Sequence, residues 1–101
     1  MKMTEKRRKQ VLKILELATK INSKSTRREL TGNKPTVCVS FSGISCTLDV
    51  CIYVGGWLAG VSSDLVWFFF LDKELDEESA KQLDDCLAKL TELYEKSKDE
   101  V

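Results

Sequence analysis

Residues 65 to 71 read LVWFFFL, seven large apolar side chains in succession in a chain that is 32% charged. The length suits a strand, and Val, Trp and Phe favour pleated backbone. Side chains of a strand alternate between two faces, so Leu65, Trp67, Phe69 and Leu71 fall on one side and Val66, Phe68 and Phe70 on the other. Both sets are apolar. Only one of them can pack under helices, so any fold for this chain must leave the other on a second surface.

The rest of the chain supplies the elements around that strand. Thr4 is a plausible N-cap for a helix over 4–22, in which Val11, Leu12, Ile14, Leu15, Ala18 and Ile21 recur at spacings of three and four and form one stripe. Its first turns carry EKRRK, basic residues where the helix dipole favours acids. Residues 23–35 are a polar loop, with a helical turn in STRREL that Ser25 would cap and Glu29 would help close. Pro35 then imposes extended backbone. Strands are expected at 36–42 and 45–54. A tight turn at Ser42-Gly43-Ile44-Ser45 sets Phe41 opposite Cys46, Val39 opposite Leu48 and Val37 opposite Val50. A glycine-rich connection, GGWLAGVSSD, leads to the strand at 65–71. The second helix, 76–97, is capped by Asp72 or Asp76, with Asp76, Glu77 and Glu78 complementing its dipole. Ala80, Leu83, Cys86, Leu87, Leu90, Leu93 and Tyr94 form its buried stripe, and Lys96 and Lys98 lie near its end. The expected fold is α+β: one domain over 1–101, ordered α-β-β-β-α, a three-stranded antiparallel meander with both helices on one face.

The formal charge of zero hides an asymmetry. Residues 1–35 hold 11 Lys and Arg against 3 Asp and Glu, and residues 36–101 hold 5 against 13, a surplus of eight in each direction. Adjacent helices of opposite sign account for this pattern, and so would contact with nucleic acid. The longest apolar run is far below the roughly 20 residues of a membrane span. Lys13, Glu16 and Lys20 interrupt the segment VLKILELATKI where a signal peptide would be continuous, so a cytoplasmic protein is expected. In that compartment Cys38, Cys46, Cys51 and Cys86 are four thiols. With no histidine and no CxxC pair, neither a metal nor a cofactor is expected.

The absence of histidine also removes Ser-His and Cys-His nucleophiles. Asp49, beside Cys51 and Tyr53, is a lone carboxylate with no second group converging on it, so no enzymatic activity is expected. Gly55, Gly56 and Gly60 do not open a helix and are not followed by a Lys-Ser/Thr pair, so they are not a phosphate cradle. Protein binding remains. The third strand lies at an edge of the meander and would be covered by a partner, most simply a second copy, through Tyr53, Trp57, Leu65, Trp67, Phe69 and Leu71. The alternative is nucleic-acid binding through Arg7, Arg8, Arg27 and Arg28. The element order resembles that of double-stranded RNA-binding domains. That family starts its second helix with lysines, whereas this chain has Asp76-Glu77-Glu78-Ser79, which repels phosphates.

The stretch VCVSFSGISCTLDVCIYVGGW, residues 37 to 57, resembles small uncharacterised proteins of prophages and mobile elements in Gram-positive bacteria. Size and element order are also similar to some anti-CRISPR proteins. That resemblance implies an accessory protein that inhibits a host defence nuclease by stoichiometric binding, and it carries no site residue with it.

Overall fold

In the computed structural model, residues 3–24, 34–72 and 77–99 are described. Helix α1 (Glu5–Asn22) begins where expected: the Thr4 hydroxyl accepts the Arg7 N–H at 3.1 Å. Its buried stripe is Ile14, Leu17, Ala18 and Ile21, with Val11 partly buried beside it. Leu12 and Leu15 were expected in that stripe and are instead half-exposed. At 100° per residue Leu12 falls almost opposite Ile14, whereas Leu17 sits three residues from Ile14 and four from Ile21.

Strands β1 (Thr36–Ser42), β2 (Thr47–Tyr53) and β3 (Leu65–Phe70) form one antiparallel sheet in the order β1-β2-β3. Helix α2 (Glu77–Asp99) follows, and the α-β-β-β-α order holds. Its expected stripe is in place: Leu83, Cys86, Leu90 and Leu93 are buried, and Leu87 and Tyr94 pack against them. Ser25, Glu29, Arg27, Arg28 and Asp76, and the side chains of Glu77, Glu78 and Lys98, lie outside the described residues.

The β1–β2 register differs from expectation by two residues. Phe41 faces Leu48, Val39 faces Val50 and Val37 faces Ile52. The cause is a four-residue loop, Gly43 to Cys46, in place of a two-residue turn. Cys46 takes a left-handed φ of 53°, and the Ser42 side-chain oxygen accepts the Ser45 N–H at 3.3 Å. Because side chains alternate with period two, this even shift preserves every face assignment.

Both helices pack on one face of the sheet, α1 over β1 and α2 over β3, and touch each other. Their stripes meet Val37, Leu48, Val50, Ile52, Phe69 and Leu71 in a single core. Lys20 and Lys24, at the end of α1, sit 5.4 and 5.6 Å from the ring of Tyr94 on α2, cation–π contacts between the two helices.

Candidate partner-binding surface

The phase of the β2–β3 ladder decides which side of LVWFFFL is covered. Leu48 pairs with Phe69, Val50 with Trp67 and Ile52 with Leu65, so the odd-numbered residues of β3 share the helix face. Phe69 is 3% exposed and Leu71 1%, and Leu65 and Trp67 are half-buried against the same core. These four were expected to meet a partner. Their place under α2 corrects that assignment, because their parity matches the apolar face of β2.

The surface that remains is carried by the other three. Val66 is 61% exposed, Phe68 51% and Phe70 48%. The two phenyl rings stack edge to face, with centroids 5.2 Å apart at 88°. Beside them the open face continues with Asp49, Cys51 and Tyr53 from β2 and Thr36, Cys38, Ser40 and Ser42 from β1, while Thr47, on the same side, is buried. Asp49 is the one charged side chain among these residues. Tyr53, expected as a partner contact, lies half-buried on this face at the end nearest the β2–β3 loop.

That loop is anchored by Asp64. Its N–H donates to the Ile52 carbonyl at 2.9 Å, and its carboxylate accepts the Val54 N–H at 2.7 Å. The turn inside it uses Gly56 and Gly60 at φ of 97° and 83°, a region glycine enters without cost. Trp57, expected as a partner contact, is half-exposed in this loop together with Leu58 and Val61.

The two edges of the sheet differ. On β1, the Val37 N–H donates to Asn22 Oδ1 at 3.0 Å, and Asn22 Nδ2 donates to the Val37 carbonyl at 2.7 Å. The carboxamide therefore takes the place of a neighbouring strand. On β3, the Leu71 N–H donates to the Cys46 carbonyl at 2.8 Å, which puts the odd residues toward β2. Alternation then turns the main-chain groups of Val66 and Phe68 outward, in the same segment that exposes the apolar side chains.

The basic candidates are only partly brought together. Arg8 is held by Glu5 at 3.0 Å, and this pairing raises its pKa and lowers that of Glu5. Arg7 lies half-buried in a cleft of about 400 Å³ with Thr4, Lys6, Gln10, Ala80, Leu83 and Asp84, where cations and a carboxylate are mixed. Among the described residues no three His, Cys, Asp or Glu side chains cluster as metal ligands, and no helix is long and apolar enough to cross a membrane. Burial pushes the Cys86 thiol up to about 12, so it remains protonated within the core.

No protein-family model, no curated protein and no solved structure matches this chain.

Proposed function

We propose that this chain is a non-enzymatic protein-binding module that docks through the open face and outer edge of β3, with a second copy of itself as partner. The observation that carries this reading is the row Val66, Phe68 and Phe70, each about half exposed or more on the face opposite both helices. Two supports follow from the geometry. Among the described strand residues this face bears a single carboxylate, Asp49, so it suits a neutral, apolar partner better than a charged one. A twofold copy that continues the sheet at the β3 edge would set Phe68 beside Phe68 and Val66 beside Phe70, so that each row shields the flank of the other. The three side chains expose on the order of 250 Å². A stable interface takes roughly 800 Å² from each partner, so Tyr53, Trp57, Leu58 and Val61 at the loop end are assigned to the same surface.

At a finer level we propose that the module is an accessory protein of a phage or mobile element that inhibits a host defence nuclease by stoichiometric binding. The likeness of residues 37–57 to prophage-encoded proteins supports this, as do the small size and the element order.

Light scattering after size exclusion tests the first level. A dimer that becomes monomeric in Phe68→Ser and Phe70→Ser supports it, and a wild-type monomer at high concentration sinks the self-partner reading. Titration of the chain into RNA-guided nuclease cleavage reactions tests the second, where inhibition should saturate near one equivalent and fail in Phe68→Ser. Binding that survives Phe68→Ser but disappears with high salt or nuclease treatment would instead assign the function to the basic residues of α1 and nucleic acid.

A further inference from the structure

Cys38 and Cys51 are direct cross-strand partners on the open face, Cys38 exposed and Cys51 half-buried. Their main-chain phase is fixed by Asn22. Since the Val37 amide and carbonyl point away from β2, Cys38 and Cys51 form the neighbouring hydrogen-bonded pair, with Cα atoms about 5.5 Å apart. That spacing lies inside the range of roughly 4.4 to 6.8 Å that a disulfide spans. Opposed Cβ atoms in a sheet lie about 4.5 to 5.5 Å apart, slightly wider than a relaxed disulfide sets them, so a bond here forms with some strain and is readily reduced. The Cys38 thiol is pushed up first by burial and then by Cys51, a second sign that the two sulfurs are neighbours. Cys46 and Cys86 are buried in the core and are not their competitors.

We infer that Cys38 and Cys51 form a cross-strand dithiol site that reacts with small-molecule disulfides, such as glutathione disulfide, and closes into a reversible intramolecular disulfide. This site shares the open face with the proposed docking surface, Cys51 being paired with Val66 of β3, but it does not rest on that function and is read out by its own experiment. The thiolate of Cys38, the more exposed of the two, attacks one sulfur of glutathione disulfide. The glutathione S–S bond breaks, a mixed disulfide forms on Cys38, and one glutathione thiolate leaves. The thiolate of Cys51 then attacks the Cys38 sulfur and expels the second glutathione. The two protein thiols are oxidised, the incoming disulfide is reduced to two glutathione thiols, and the protons of the protein thiols pass to them.

The test uses the native chain, glutathione disulfide as the probe, an acid quench and mass spectrometry. The expected product has lost two hydrogens, and chymotryptic cleavage after Phe41 leaves the Cys38 peptide joined to the one holding Cys51. Cys46 and Cys86 are alkylated only after unfolding, and dithiothreitol restores the starting mass. Cys51→Ser should stop at a glutathione adduct on Cys38, at a level roughly tenfold above that in the wild type, because ring closure is intramolecular. A stable adduct on wild-type Cys38, a bond that includes Cys46 or Cys86, or no reaction at all would each overturn the assignment. The wild-type readout needs no substitution, so a folding defect in a variant cannot produce these outcomes.

Discussion

Asn22 ends α1 and also closes the outer edge of β1, through two hydrogen bonds to Val37 that span fifteen positions. Replacing it with Ala removes both and leaves an edge amide and carbonyl partly shielded from water. Asn22→Ala should therefore lower stability to urea by about 1 to 3 kcal/mol. Asn22→Asp should also be destabilising, because it keeps an acceptor for the Val37 N–H but sets a carboxylate oxygen against the Val37 carbonyl. Nothing around residue 22 in the sequence signals this role, since a carboxamide at a helix end reads as a terminator and its partner belongs to another element. The exposed row of β3 is more legible in the sequence. Asp49 marks the polar face of β2, and antiparallel pairing places Phe68 beside it, so extending the hairpin register by one strand identifies Val66, Phe68 and Phe70 as the open set. Without that register the two faces of LVWFFFL are equivalent in composition, and the other one was assigned to the partner.

At the scale of the element, α1 separates packing from charge. Leu17 is almost fully buried between Ile14 and Ile21, whereas Leu12 and Leu15 are half-exposed on its outer side. Leu17→Ala should cost about 2 to 5 kcal/mol, and Leu12→Ala should stay near 0.5 kcal/mol, measured as shifts in urea unfolding. Seven apolar positions crowd this helix at mixed spacings, which explains why the stripe was recognised while its centre was placed one flank away. The outer face carries Glu16, bonded to Lys20 at 2.9 Å and Lys13 at 3.4 Å. The Lys20 hydrogen bond is the largest cause that holds the Glu16 carboxyl below its ordinary range. A lowered folded-state pKa means that the stabilisation is present above the unfolded value, near pH 4.3, and is lost as pH falls through the folded value. All three groups are exposed, so the effect is small. Glu16→Gln should slightly reduce helicity by circular dichroism at pH 7 in low salt. The difference should vanish in acid and in high salt.

For the whole molecule, the element order and the choice of covered face follow from parity and periodicity, but neither one specifies what meets the uncovered side. The two edges of the sheet are not equivalent. Asn22 occupies the β1 edge at Val37, while the outward main-chain groups of Val66 and Phe68 lie in the segment that exposes the phenyl rings. If two copies join there, association and folding are linked, and stability depends on concentration. Each tenfold increase in protein should then raise the apparent free energy of unfolding by about 1.4 kcal/mol per mole of dimer. The midpoint of urea unfolding should climb accordingly across a dilution series. Phe68→Ser removes apolar surface from the open face alone, so it should make the midpoint independent of concentration while leaving it close to that of the dilute wild type. Phe69→Ser strikes the core under α2 and should lower the midpoint at every concentration. A wild-type midpoint that does not move with dilution, together with a Phe68→Ser variant of equal stability, would show that the β3 row does not meet a second copy.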